Sequence, residues 1–204
     1  MPRSSSAMND LVITSTSSVG DADIAAARLG PRFGRLDRLS QLALLAVESL
    51  NVNFESIPRD RIGICLSVRA GSLTTDIEYW KGRDAVGGPS PTLFAYTLPS
   101  SAIGEIAIRH RITGPNLCLV GDERWLLNEA RDWIRRGEAD ACICVACDVV
   151  SSAAAELIRE PPAANACALF VQRGVNGLHI LREIDRDMKS LCDTVRCQNL
   201  SRAH

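Results

Sequence analysis

A cysteine and two carboxylates lie close together in the middle of the chain. Cys118 stands in a short apolar run, and Asp122 and Glu123 follow it after a glycine. Such a group could act on an acyl thioester, with sulfur as the nucleophile and a carboxylate as the base. Burial in an apolar strand would raise the pKa of Cys118 and keep the thiol protonated. The pattern therefore predicts no active thiol, and the three residues remain candidates only for a rebuilt site.

A second arrangement of cysteines has the spacing of a metal or redox motif. Cys144 and Cys147 form C-x-x-C, and Cys142 precedes them by two positions. A zinc site needs a second pair of ligands, and a redox motif needs a helix start; neither accompanies this run. On a strand, Cys142 and Cys144 would share one face and Cys147 would point to the other. Core packing is favoured, and no metal or other cofactor is predicted.

The chain contains eight cysteines, which could suggest a disulfide framework. Most of them stand in apolar, strand-like runs, where a free cysteine behaves as a small hydrophobic residue. We therefore expect reduced core thiols at Cys65, Cys118, Cys142, Cys144 and Cys167. The states of Cys192 and Cys197, near the C-terminus, are left open.

Composition limits the classes of function. The 204 residues carry a formal net charge of −1, which does not favour non-specific binding to nucleic acid. No apolar run reaches the roughly 18 residues of a membrane span, and residues 1–10 lack the apolar stretch of a secretory signal. The sequence therefore predicts a cytoplasmic protein without a membrane span.

Apolar periodicity alternates along the chain between strands and helices. Helical spacing occurs over 36–50, 72–81, 100–110 and 123–136. Strand-like runs occupy 11–16, 61–68, 117–120, 141–150, 166–172 and 178–184. This alternation predicts an α/β domain over 11–185, with a mixed, mostly parallel sheet covered by helices. Residues 1–10 are predicted to be a flexible N-terminus, and 186–204 a C-terminal tail.

Three ordered segments resemble the β-ketoacyl-acyl carrier protein synthases. They begin Gly34-Arg-Leu-Asp-Arg-Leu-Ser, Thr97-Leu-Pro-Ser-Ser-Ala-Ile-Gly-Glu-Ile and Arg135-Arg-Gly-Glu-Ala-Asp-Ala. Together they cover roughly residues 34–150. The resemblance implies one half of a thiolase-like fold, corresponding to the N-terminal half of a synthase, with a five-stranded, mostly parallel sheet.

Two departures from the family pattern bear on activity. In an active synthase the strand after the Gly-Pro turn leads to a cysteine at a helix start, whereas here Gly121-Asp-Glu-Arg-Trp125 follows directly. A whole synthase is also about twice as long, and the second half supplies the catalytic histidines. The resemblance therefore implies a condensing-enzyme scaffold without condensation chemistry.

The resemblance also implies two interaction surfaces. In thiolase-like dimers the strand after the Gly-Pro turn pairs with its counterpart across a two-fold axis. We therefore expect Asn116, Leu117, Cys118, Leu119 and Val120 to form a dimer strand, in a homodimer or beside an active ketosynthase. The following helix is basic at Arg124, Arg131 and Arg135, which indicates either a solvated face or a docking patch for an acidic acyl carrier protein.

The first functional hypothesis is a non-catalytic accessory protein of fatty acid or polyketide-type biosynthesis, comparable to chain-length factors. These keep the synthase fold, lack the nucleophile and pair with an active subunit. One alternative is an enzyme that acts on acyl thioesters through Cys118, Asp122 and Glu123. Another is a structural homodimer with a vestigial acyl pocket.

Overall fold

A mixed sheet of six strands forms the centre of the computed structural model, which describes residues 11–84, 86–174 and the backbone of 179–181. The strand order is β3-β2-β4-β5-β1-β6. The strands are β1 (Leu11–Gly20), β2 (Ile62–Val68), β3 (Asn116–Val120), β4 (Ala141–Val150), β5 (Ala163–Arg173) and β6 (His179–Leu181).

Strand direction confirms the predicted mixed sheet. β4 and β3 pair with β2 in parallel, while β5 is antiparallel to both β4 and β1. The strands β1 to β4 therefore run in one direction, and β5 runs in the other. The short β6 falls within the predicted strand-like run 178–184 and pairs with β1, so the sheet has six strands where the resemblance implied five. The predicted flexible N-terminus and C-terminal tail lie outside the described residues.

Seven helices are found among the described residues, and four of them match the predicted helical runs. The helices are α1 (Asp21–Ala26), α2 (Arg38–Ser49), α3 (Leu73–Lys81), α4 (Pro91–Ala95), α5 (Ser101–His110), α6 (Arg124–Arg136) and α7 (Ser152–Ile158). The helices α1, α4 and α7 were not predicted, because one or two turns are too short to show a helical period. No helix in the described part of the chain is long and apolar enough to cross a membrane.

The two faces of the sheet carry separate hydrophobic clusters. On the first face, α2 and α5 cover the sheet, and on the second face α6 packs mainly over β2 and β4. The N-terminus of α2 is tied to α3 through Asp37. One carboxylate oxygen accepts a hydrogen bond from the backbone of Ser40, and the other accepts from the hydroxyl of Thr75, each at 3.0 Å.

The cysteines of β4 divide between the faces as predicted. Cys142 and Cys144 are buried beneath α6 beside Cys65, and Cys147 lies in the opposite cluster. Burial raises the pKa of Cys147, and a hydrogen bond with Cys144 followed by burial raises that of Cys65. All four are free thiols. Among the described residues, no group of three or more His, Cys, Asp or Glu side chains could hold a metal ion.

The prediction of a reduced thiol is wrong at Cys167, which is disulfide-bonded. This residue lies on β5, opposite Ser18 of β1, and lines an open cleft at the edge of the sheet. Its apolar sequence neighbours suggested a core position, and Cys167 is indeed buried in the cluster beneath α6. Cys192 and Cys197, whose states the sequence left open, lie outside the described residues.

The contact between β2 and α6 leaves no room for a side chain at Gly63. A Cβ atom there would lie 2.8 Å from Cε3 of Trp133 and 3.0 Å from the sulfur of Cys142. We expect Gly63→Ala to lower the free energy of unfolding by about 1–3 kcal/mol, because the buried indole must move. The measurement is urea unfolding followed by tryptophan fluorescence.

Gly104→Ala is the matched control, since a Cβ at this position in α5 would meet nothing within 4 Å. Alanine is a better helix former than glycine, so we expect this variant to be at least as stable as the wild type. Equal stability of the two variants would contradict the packing described for β2 and α6.

Candidate functional site

An open cleft of about 1000 Å³ lies at the edge of the sheet where β1 to β4 end. Arg69 directly follows β2, Gly121 follows β3, and Asp148 lies near the end of β4. Parallel strands bring their carboxyl ends to the same edge, which is where ligands bind in open α/β sheets. The topology therefore makes this cleft the candidate site.

One wall of the cleft is a network of ion pairs around Arg69. Its Nε lies 2.6 Å from Oδ2 of Asp148, and its backbone N–H donates to the other carboxylate oxygen. Its Nη1 lies 3.1 Å from Oε2 of Glu160. The hydrogen bond with Asp148 raises the pKa of Arg69. The guanidinium therefore fixes the ends of β2 and β4 and is already engaged by two carboxylates.

The opposite wall is the turn between β3 and α6. Gly121 has a φ of 142° and is held by two hydrogen bonds: its N–H donates to Val68, and its carbonyl accepts from the hydroxyl of Ser67. Asp122 accepts from the backbone N–H of Arg124 at 2.9 Å and forms an ion pair with the Arg124 guanidinium. These contacts lower the pKa of Asp122 and keep it ionised.

This turn determines what the helix start can bind. A helix N-terminus offers unpaired N–H groups and a partial positive charge to an anion. Here the carboxylate of Asp122 occupies one of those donors, so the site holds an anion of its own. Glu123 also lines the cleft. We expect such a start to be a poor place for the negative charge that develops on an acyl thioester.

The structure does not bring the three candidate catalytic residues together. Asp122 and Glu123 line the cleft, whereas Cys118 is half-buried in β3 and packs against the cluster of α2 and α5. Burial raises the pKa of the Cys118 thiol to about 11. Cys118 is therefore protonated at neutral pH and faces away from the carboxylates.

The three arginines of the predicted docking patch share one stripe of α6. Arg124, Arg131 and Arg135 have a spacing that aligns them with Asn128 along the helix. Arg124 is paired with Asp122, and the guanidinium of Arg131 donates to Asn128 at 3.0 Å. Arg135 is exposed and forms no ion pair with any described residue. The available positive charge is therefore smaller than the count of arginines indicates.

The predicted dimer strand is an edge strand. Among the described strands β3 pairs only with β2, so the outer side of its backbone is open. Large apolar side chains are exposed next to this edge: Val120, at the end of β3, is 66% exposed and Trp125, at the start of α6, is 65% exposed. An open strand edge bordered by apolar surface is suited to pairing with another chain.

Comparison with known proteins gives a match only at the level of structure. No family model matches the sequence, and no curated protein matches it closely. The ishigamide ketosynthase/chain length factor superposes with a TM-score of 0.66 at 22% identity, over 80% of this chain and 62% of that chain. This chain therefore spans about three fifths of the length of that protein.

Other ketosynthase structures give the same result. A ketosynthase in complex with its chain length factor, from Xenorhabdus doucetiae, has a TM-score of 0.64 at 18% identity, over 81% of this chain and 79% of that chain. A β-ketoacyl synthase from Burkholderia phymatum has a TM-score of 0.62 at 14% identity, over 81% and 59%. The chain has a ketosynthase-like, thiolase-type fold. The expected fold is thus confirmed, and at these identities the comparison establishes the fold alone.

Sequence reasoning missed the cleft wall formed by Arg69, Asp148 and Glu160. The only local signal was the position of Arg69, a charged residue directly after a buried strand. Its partners lie 79 and 91 residues further along the chain, and only the parallel pairing of β2 and β4 brings Asp148 beside it.

The position of Cys118 generates a testable prediction for thiol chemistry. With a pKa of about 11, about one molecule in ten thousand carries the thiolate at pH 7. We expect alkylation of Cys118 by iodoacetamide to be very slow at pH 7 and to rise with pH towards 11. Quantitative mass spectrometry of the peptide containing Cys118 measures this profile. An apparent pKa below 8.5 would show that the thiol is activated.

Proposed function

We propose that this ketosynthase-like chain is a non-catalytic partner of an active ketosynthase in fatty acid or polyketide-type biosynthesis. The observation that carries the proposal is the turn after β3. A carboxylate held by Arg124 stands at the helix start, and Cys118, the nearest thiol in the sequence, faces the other side of the sheet. The scaffold that positions a nucleophile is present, while the nucleophile is not found at this turn.

The structural neighbours support a partner role. One is a ketosynthase in complex with its chain length factor, and the matched region covers similar shares of both chains, 81% and 79%. The two chains are therefore of comparable length. Another is the complex of a ketosynthase with an acyl carrier protein of a type II polyketide synthase, with a TM-score of 0.68 at 13% identity over 81% of this chain and 62% of that chain.

The open edge of β3 is the proposed pairing surface. Unpaired backbone N–H and C=O groups can form a ladder with a strand of the partner, and Val120 and Trp125 supply apolar area at its end. Such an edge exposed in a monomer is a liability, because it can pair with any available strand. A permanent partner would cover this edge and prevent such pairing. Either an active ketosynthase or a second copy of this chain could be that partner.

The alternative of an acyl-thioester enzyme has less support. Of its three residues, Cys118 lies outside the cleft and Asp122 is held in an ion pair with Arg124, so the three do not form one catalytic group. The homodimer alternative uses the same β3 edge as the main proposal, so the identity of the partner decides between them.

We propose the cytoplasm as the location. Five cysteines of the described residues are free thiols, which is usual in a reducing compartment. The disulfide at Cys167 is an exception to this pattern.

The pairing surface is tested by Trp125→Glu. A charge in the centre of an apolar contact should weaken binding to a ketosynthase at least tenfold, because the carboxylate must be desolvated without a partner. The measurement is co-purification with a co-expressed ketosynthase, together with sedimentation of the chain alone. The homodimer would be favoured if the wild type binds no ketosynthase but self-associates, and if Trp125→Glu abolishes that self-association.

Leu157→Glu is the matched control, since Leu157 is 68% exposed on α7, away from β3. This variant should bind like the wild type. Equal binding by the two variants would contradict the proposed surface.

The carrier-docking patch is tested by Arg135→Glu. If an acidic carrier protein binds along this stripe of α6, the reversal should weaken binding several-fold at low salt and less at high salt. Arg159→Glu, at an exposed arginine beyond α7, is the control. Carrier binding is measured by calorimetry. If the two variants bind the carrier protein with the same affinity, the arginines belong to a solvated face.

A further inference from the structure

A small apolar pocket lies among the helices of the first face, between α2, α5 and the segment 27–36 that precedes α2. Its volume is about 150 Å³. Most of its lining consists of aliphatic or aromatic side chains: Leu29, Phe33, Leu36, Leu44 and Ile108. Among the described residues, none that lines this pocket also lines the cleft at the edge of the sheet. The pocket is therefore separate from the candidate functional site.

The helical spacing of α5 turns one stripe of that helix toward the pocket. Glu105, Ile108 and Arg109 stand at i, i+3 and i+4, so they lie on the same side of the helix. Other residues of α5, Ile103 and Ile106, are buried in the cluster of the first face. Ile108 is 60% exposed although it is apolar. Because it is both exposed and part of the lining, Ile108 lies at the mouth of the pocket.

The charged side chains of the pocket neutralise one another. The guanidinium of Arg32 donates two hydrogen bonds to the carboxylate of Glu105, each at 3.1 Å. These bonds join the segment 27–36 to α5 and raise the pKa of Arg32. The Nε of Arg109 lies 2.8 Å from Oε1 of Glu48. Both arginines of the described lining are therefore already paired with a carboxylate, which makes the pocket a poor site for an ionic ligand.

The volume and the lining indicate the chemistry of an occupant. An engineered cavity of about 150 Å³ in another protein, lined by leucine, isoleucine and phenylalanine, stays free of water and binds benzene. The present pocket has a similar volume and the same kinds of apolar side chain. A water molecule would need about two to four polar partners, and the polar groups at this rim are engaged in ion pairs. An apolar group would instead gain dispersion contacts with the walls.

We propose that this pocket binds a small neutral molecule with a benzene-sized apolar ring. The ring lies between Phe33 of the segment 27–36, Leu44 of α2 and Ile108 of α5, and the ion pair of Arg32 with Glu105 forms part of the rim. The exposed mouth at Ile108 lets the ligand enter without unfolding of a helix. The site is independent of the proposed partner function, because it shares no described lining residue with the cleft and lies apart from β3.

Titration of the full-length protein with fluorobenzene, followed by fluorine NMR, tests this site. We expect saturable binding with a Kd on the order of 1 mM, an ordinary free energy per atom for so small a ligand. The anion 4-fluorobenzoate has the same ring and should bind several-fold more weakly, since the arginines at the rim are already paired. Absence of saturable fluorobenzene binding would overturn the proposal, and equal or tighter binding of 4-fluorobenzoate would overturn the assignment of a neutral ligand.

The variant Ile108→Trp tests the location of the binding. The larger side chain should fill the mouth and weaken fluorobenzene binding at least tenfold, while the exposed position spares the core. Leu157→Trp is the matched control, because it introduces the same side chain at a position of α7 that is 68% exposed, and it should bind like the wild type. Equal affinity of the two variants would overturn the proposal. If Ile108→Trp does not fold, the comparison of the two ligands on the wild-type protein remains decisive.

Discussion

The structure depends on the pairing of β4 with strands of opposite direction on its two sides. β4 pairs in parallel with β2 over Ala141–Ala146 and antiparallel with β5 over its whole length. Eight of its ten residues have buried apolar side chains, which contribute to the clusters of both faces. A strand buried on both sides must be largely apolar, which is why Ala141–Cys147 is a continuous hydrophobic run and the one charged residue, Asp148, comes only near the end of the strand.

The place of the candidate site follows from this pairing. Because β2, β3 and β4 run in the same direction, the residues after each strand meet at one edge whatever their identity. Topology therefore fixes where a site can be, and the side chains decide what it can do. At this edge the side chains neutralise one another: Arg69 is held by Asp148 and Glu160, and Asp122 by Arg124. The charges of Arg69 and Asp122 are therefore already paired within the cleft.

The sequence predicted those features that depend on local periodicity. The helical stripe of α2, the buried run of β4 and the opposite orientation of Cys144 and Cys147 all follow from spacing alone. Features that depend on distant partners could not be predicted in this way. The ion pair between Arg69 and Asp148 joins residues 79 positions apart in the sequence. Cys167 stands in an apolar run typical of core residues, and nothing in that run indicates its disulfide. The basic character of α6 was overestimated for the same reason, because a count of arginines does not show that Arg124 is already paired.

The two edges of the sheet have different consequences for assembly. One edge is β3, whose outer backbone is open and flanked by Val120 and Trp125, and the other edge is occupied by the short β6. A partner strand added at β3 would extend the sheet from the side of β2, next to the turn that begins α6. The partner would therefore lie close to the cleft, because Gly121 both ends the edge strand and lines that cleft. In the proposed assembly this chain would shape the space beside the active site of its partner through the turn at Gly121, so the pairing of Asp122 with Arg124 at that turn is compatible with the proposed role.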